Sequence, residues 1–402
     1  MCVYLLATLD TKGEEAAYVR GVLAAAGVEV RIVDTGCLGT PLVAADVSRD
    51  DLFAAGGTSL AGLTAKNDRG LAVTAAAEGA AKLIAGLHAA GHVSGVLALG
   101  GSAGTAIGTA AMRVLPLGVP KLMVSTLASG QVRHYVGDKD ILMLNSVVDI
   151  MGVNRISRLV LGEAARAMAG MVTLAPEDPA GNDKPLIAAT MFGVTTACIE
   201  RARPLLEQAG YEVLVFHATG GGGQAMESLI AEGLIAGVLD VTTTELADEL
   251  VGGFLSAGPD RLTAAGRMGI PQVVSVGATD MVNFHAPPSV PAKFQGRTLY
   301  RHNSSVTLMR TTVEENAAIG ADIGRKLARA RGPSCVLLPA RGVSAIDREG
   351  QPFFDPAARN ALFQAIRETA QGVEIRELDC HINDAQFAQA AVERLLEMMR
   401  VG

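Results

Sequence analysis

Uninterrupted apolar runs alternate with stretches of helical period along the whole chain. Residues 3–8 (VYLLAT) form one such run, as expected of a strand buried on both faces of a parallel sheet. Thr11 and Glu14 then have capping-box spacing and predict a helix start. Val19, Val22, Leu23 and Ala26 share one helical face, and Gly27 closes that helix. Residues 28–34 (VEVRIVD) read as the next strand. The order repeats with PLIAAT at 185–190, a helix over 195–208 and YEVLVFHA at 211–218. Further strands are expected at 93–100, 121–126, 236–242, 272–277, 305–311, 334–340 and 373–379. Strand–helix–strand units with short loops build parallel sheets with right-handed crossovers. The expected fold is α/β: two tandem Rossmann-like, doubly wound lobes with mostly parallel sheets.

The pattern breaks once, at APEDPAGNDKP over 175–185. Three prolines among acidic residues and glycine continue neither helix nor strand. This sets an N-terminal lobe at 1–178 and a C-terminal lobe at 184–402. The lobes read as related copies. Ala7-Thr8 matches Ala189-Thr190, Ala26-Gly27 matches Ala209-Gly210, and Thr35-Gly36 matches Thr219-Gly220. Residues 95–97 (GVL) then match 237–239, and GVPK at 118–121 matches GIPQ at 269–272.

Composition narrows the function classes. The 402 residues are 49% hydrophobic and 19% charged, which is globular rather than disordered. A net charge of −7, no Trp and few aromatics argue against a nucleic-acid partner. The cysteines (Cys2, Cys37, Cys198, Cys335, Cys380) are odd in number and unpaired in spacing, which points to a reducing cytoplasm. The apolar N-terminus has no basic flank and reads as a strand, not a signal peptide. No membrane span is expected, because the longest uncharged stretch, 93–112, is rich in Gly, Ser and Thr.

The candidate chemistry starts where a buried strand runs into Gly100, Gly101, Ser102, Gly104 and Thr105. Small residues ahead of a helix bare backbone N–H groups and make an anion site; the alternative is a tight turn with no ligand. The spacing is neither a P-loop nor GxGxxG. Thr8, Asp10, Thr11 and Lys12 close the first strand, where they contact phosphate, ribose or a metal held by Asp10, or merely cap the helix. Asp34 ends the second strand, where an acid on the ribose is common; a turn is the alternative. Ser125 and Thr126 line the same rim, and Arg69, within KNDR at 66–69, is a phosphate fork or a solvated side chain. No HExxH, GxSxG or Cys/His/Asp spacing supports a protease, esterase or zinc enzyme.

The second lobe carries a run of its own, Gly220, Gly221, Gly222 and Gly223, expected to take a smaller anion. Asp240, residues 242–244, Glu245, Asp280 and Asn283 are expected near it. Arg341–Asp347 and Asp379–Asp384 follow two later strands, and His381 and Asp384 are the acid–base candidates. A hydrogen-bonded structural role for His381 is the alternative.

ATLDTKGEE, GGSAGT, GVPKLMVST and KFQGRTLYRHNSSVTLMRTTVEE together resemble an uncharacterised family of bacterial, fungal and plant proteins. That family includes the N-terminal ATP-binding domain of the tomato mosaic virus resistance protein. The resemblance covers essentially the whole chain. It implies two Rossmann-like lobes, ATP bound by the first, and a homodimer. An ATP and Mg²⁺ protein is therefore expected, in one of two forms. One is an enzyme acting on a small acidic or phosphorylated metabolite, and the other is a non-enzymatic interaction module. A nucleotide-independent enzyme using Asp280, His381 and Asp384 is the third expectation.

Overall fold

The computed structural model describes residues 2–64, 68–174 and 183–401. It divides into two compact units, Met1–Gly181 and Asn182–Gly402. The break expected over 175–185 lies outside the described residues from 175 to 182, as do Lys66 and Asn67.

The N-terminal unit runs β1 (Cys2–Ala7), α1 (Leu9–Ala25), β2 (Glu29–Asp34), α2 (Arg49–Gly56), α3 (Leu60–Thr64) and α4 (Arg69–Ala89). It continues with β3 (Gly95–Gly100), α5 (Ser102–Arg113), β4 (Lys121–Ser125), α6 (Arg133–Val136), β5 (Leu142–Asn145) and α7 (Arg155–Thr173). Its five strands are parallel in the order β2-β1-β3-β4-β5. The period of two decides the layers. Val3, Leu5 and Ala7 face α1 and α7, whereas Tyr4 and Leu6 face α2, α4 and α5. α4 is long and apolar enough to cross a membrane by length and composition. Its Ala76, Ala80 and Ile84 are part of this second core layer.

The C-terminal unit begins with β6 (Leu186–Met191), α8 (Thr196–Gln208), β7 (Glu212–His217), α9 (Gly221–Ala231), β8 (Ile235–Thr242) and α10 (Thr244–Val251). α11 (Ala264–Met268), β9 (Gln272–Gly277), β10 (Met281–Phe284), β11 (Leu299–Arg301), β12 (Thr307–Arg310) and α12 (Val313–Leu327) follow. β13 (Ser334–Pro339), α13 (Pro356–Thr369), β14 (Glu374–Leu378) and α14 (Ala385–Val401) complete it. The main sheet is parallel in the order β14-β13-β9-β8-β6-β7. Its first three strands in sequence therefore sit as those of the N-terminal unit do: second, first, third. The matched sequence blocks fall on equivalent strands, β1 with β6, β3 with β8 and β4 with β9.

Two expectations need correction. Residues 305–311 do not join the parallel sheet; β12 is the centre of a separate antiparallel sheet, β10-β12-β11. The helix expected from Thr11 begins at Leu9, with Thr8 at its N-cap, and is broken at Lys12, whose φ of −129° is not helical. The Thr11 hydroxyl lies 2.9 Å from that of Thr8 instead of capping a new helix.

Candidate functional site

In the N-terminal unit the sheet reverses its winding between β1 and β3. Their carboxyl ends separate there, and doubly wound sheets hold ligands at such a point. A cavity of about 270 Å³ occupies that position. Thr8, Asp10, Thr11 and Lys12 line it from the end of β1, and Gly100, Gly101, Ser102 and Gly104 line it from the turn between β3 and α5. Arg69 reaches it from the start of α4. The structure thus brings together nine side chains or backbone positions singled out from sequence.

The turn is built by close glycine packing. A Cβ on Gly100 would lie 2.7 Å from the Gly104 Cα, so the first turn of α5 rests directly on the end of β3. Gly101 differs. Its φ is −82°, open to any residue, and a Cβ there would meet only the Thr126 Oγ1 at 3.7 Å. Its bare backbone therefore borders open cavity, next to the positive end of a twelve-residue helix. The lining side chains balance in charge: Lys12 and Arg69 against Asp10 and Asp149.

Four expected contacts are placed elsewhere. Asp34 is buried; its Oδ1 accepts the Leu9 and Gly36 amides, and its Oδ2 pairs with Arg49 Nε at 2.7 Å. It ties β2 to α1 and is not available to a ribose. Thr105 and Ser125 are buried and hydrogen-bond to each other at 2.7 Å, joining α5 to β4. Thr126 donates its amide to the Gly100 carbonyl at 3.3 Å and does not line the cavity. Asp10 accepts the Leu38 and Gly39 amides through Oδ2, which shapes the loop beside the cavity. Sequence reasoning missed Asp149, Val73 and Cys37 in the wall. Burial and then Asp10 push the Cys37 thiol above its ordinary pKa, which favours its neutral form.

An Mg²⁺ site fits this donor set only with help. Among the described residues, no group of three His, Cys, Asp or Glu side chains is placed to hold a metal. Mg²⁺ commonly takes one or two carboxylates and completes its shell with phosphate oxygens and water. Asp10 and Asp149 match that need.

The second glycine run is already filled from within. Gly220 and Gly223 donate their amides to Glu245 Oε1 at 2.7 and 3.1 Å. Glu245 Oε2 accepts from Arg261 Nε at 2.6 Å, and Arg261 also grips Asp240 with two hydrogen bonds of 2.5 and 2.8 Å. Side chains on Gly222 and Gly223 would run into the His217 carbonyl and the Glu245 carboxylate. The anion expected at Gly220, Gly221, Gly222 and Gly223 is therefore the chain's own carboxylate.

His381 is likewise engaged. Its Nδ1 accepts the Asn383 amide at 3.1 Å, and its Nε2 donates to the Ser344 carbonyl at 2.8 Å. Burial pushes its pKa below the ordinary value, which keeps the ring neutral. Asp384 caps the His381 amide at 2.8 Å and sits 3.6 Å from Arg348. Neither ring nitrogen is left for proton transfer, so the acid–base role expected of His381 gives way to a structural one.

The comparisons agree along the whole chain. Residues 1–177 match the N-terminal domain, and residues 184–399 the C-terminal domain, of the Uncharacterised protein family (UPF0261). The chain belongs to this family. A UPF0261 protein of Clostridium tetani is 50% identical over 99% of this chain and 98% of its own length. The ToMV resistance protein Tm-1(GCR237) of tomato is 44% identical over 82% of this chain, which spans 45% of the tomato protein. Among solved structures, a putative UDP-N-acetylglucosamine 2-epimerase of Listeria monocytogenes is 14% identical with a TM-score of 0.25. That match covers 68% of this UPF0261 chain and 78% of the epimerase, and a likeness so slight carries no argument about function.

Proposed function

We propose that the N-terminal unit binds a nucleoside polyphosphate, ATP with Mg²⁺, in the cavity between the ends of β1 and β3. The observation that carries the reading is Gly101: a backbone without a side chain, facing open cavity at the N-terminus of α5. The first amides of α5 would hold phosphate oxygens. Lys12 and Arg69 would add charge-assisted bonds, and the Thr8 and Thr11 hydroxyls neutral ones. Val73 and Cys37 offer a less polar wall for the base. Because lining cations and carboxylates are equal in number, the reading favours a metal-bound polyphosphate over a free one. Asp10 and Asp149 would be the carboxylates to hold Mg²⁺, which would neutralise phosphate charge.

The reading is of binding, in a cytoplasmic protein whose five cysteines are all free. The acid–base and anion candidates of the C-terminal unit are taken by internal partners, which favours an ATP-dependent interaction module over an enzyme that uses them. The test is Gly101→Val. At this backbone conformation valine is tolerated, and its methyl groups enter the space a phosphate needs. ATP with Mg²⁺ at 100 times its Kd stabilises a protein by about 2.7 kcal/mol. Thermal unfolding of the wild type is expected to show that shift, and the folded variant none. A folded Gly101→Val protein that binds ATP with unchanged affinity removes this cavity from the nucleotide site.

A further inference from the structure

The C-terminal unit has a second concave site that this reading does not use. A cavity of about 520 Å³ lies beyond the carboxyl ends of β13 and β14, where Ala340 and Arg341 leave one strand and His381 and Asp384 follow the other. Three guanidinium groups line it, Arg341, Arg348 and Arg359, against the two carboxylates of Glu349 and Asp384. The arginines differ in what already holds them. Arg341 is exposed and makes two bonds of 2.7 Å to Asp379. Arg348 is exposed and only loosely paired, 3.6 Å from Asp384, beyond hydrogen-bond distance.

Arg359 is the informative one. It is 6% exposed, on the first turn of α13. Its Nη1 meets both oxygens of Asp347 at 3.1 and 3.0 Å, an end-on pairing that leaves the other edge of the fork unused. Its buried Nε has no acceptor among the described residues. The Phe354 ring, 5.7 Å away, lies against the guanidinium and also lines the cavity. A buried donor without an acceptor is costly. A planar guanidinium edge is the geometry that recognises a carboxylate or phosphate.

We propose that this cavity binds the carboxylate or phosphate group of a small organic metabolite. Arg359 sets its orientation, and Arg348, released from Asp384, closes over it. Phe354 offers a flat apolar surface to the rest of the molecule. His381 is a positioning residue here: its ring, bonded to Ser344 and Asn383, fixes the two loops that form the rim. The site shares no lining residue with the cavity of the N-terminal unit.

The test is calorimetric titration of the full chain with inorganic phosphate and, separately, with succinate. The proteins compared are the wild type, Arg348→Gln, Arg359→Lys, Gly101→Val and Arg376→Gln. Arg359→Lys keeps a cation beside Asp347 and removes the planar edge. Arg376 pairs with Glu374 outside the cavity. Loss of one charge-assisted bond is expected to weaken binding about tenfold or more in Arg348→Gln and Arg359→Lys. Arg376→Gln should bind as the wild type does, and Gly101→Val, which closes the N-terminal cavity, should keep the binding that Arg348→Gln and Arg359→Lys weaken. Preference for phosphate or for succinate tells which oxyanion the cavity is shaped for. The proposal is overturned by the absence of binding of either probe below about 10 mM, or by equal affinity in Arg348→Gln and wild type. Loss of binding in Gly101→Val alone also overturns it, because the anion would then sit in the N-terminal cavity. Should Arg359→Lys fail to fold, the exposed Arg348 still decides.

Discussion

Three glycines within five residues do three different jobs at the end of β3. A Cβ on Gly100 would press on the Gly104 backbone, and one on Gly104 would lie 2.9 Å from the Leu99 carbonyl oxygen. Gly101 meets neither limit. Gly100→Ala is therefore expected to destabilise the protein by about 1–3 kcal/mol, as overpacking does, while Gly101→Val leaves stability nearly unchanged. Urea unfolding of the two variants checks the contrast, and equal stabilities would contradict it. Asp280 gives a second residue-scale expectation. It is fully buried in the turn between β9 and β10, accepts the Ser344 hydroxyl through Oδ2, and has no hydrogen-bond partner on Oδ1 among the described residues. Burial, and then the negative charge of Asp347, push its pKa up to about 7, with Arg310 opposing. The unfolded chain loses that proton near pH 3.9. Between those values the folded state binds the extra proton, so this group's contribution to stability falls as pH rises from about 4 to 7. Burial raises Asp248 to about 7 as well, and it adds to the same slope. Asp280→Asn should lose about half of the slope and gain on the wild type between pH 5 and pH 8. Parallel pH profiles for the two proteins would show that Asp280 is ionised throughout.

At the scale of elements, one guanidinium organises the C-terminal unit. Arg261, just before α11, is fully buried and pairs with Asp240 on β8, Glu245 on α10 and Glu227 on α9. Removing one partner of a buried ionic group leaves charges uncompensated, which costs about 3–5 kcal/mol. Arg261→Met is expected to show a loss of that size by denaturant unfolding. The exposed pair Arg203–Glu207 is expected to be worth less than about 1 kcal/mol. This network also explains what the sequence conceals. The run TGGGG has the composition of an anion loop, and it does hold an anion. The anion is Glu245, more than twenty residues on, and nothing local in the chain distinguishes an internal carboxylate from a ligand. Long buried strands such as β1, β3 and β8 are legible because burial on both faces writes a continuous apolar run. β5, β10 and β11 are not, since each has only three or four residues. The N-terminal cavity was largely legible because its residues sit at strand ends, where topology alone gathers them. For Asp34 the sequence leaves ribose contact and turn both open, because an acid at a strand end serves equally well to fasten the next loop, which is the role its bonds to Leu9 and Gly36 give it.

At the scale of the molecule, two units with the same strand order have diverged in what they do at equivalent places. In the N-terminal unit the turn after the third strand is GGSAGT, with bare backbone on a cavity. In the C-terminal unit the equivalent turn, after β8, is TTTE, and its Glu245 is buried in the Arg261 network. One copy keeps bare backbone on a cavity at its switch point, and the other fills the equivalent turn with charge; the arginine-lined cavity of the C-terminal unit lies at the β13–β14 side. Each unit also has its own hydrophobic cores, on both faces of its own sheet. Ligands should then act on the units separately. Scanning calorimetry is expected to resolve two transitions. ATP with Mg²⁺ at 100 times its Kd should raise only one of them, by roughly 5–10 °C for a unit of this size. Gly101→Val should remove that shift and leave the other transition in place, and Arg261→Met should lower the transition that ATP does not move. A single transition that rises as a whole with ATP would mean that the two units unfold as one cooperative body, and the separate action argued here would be wrong.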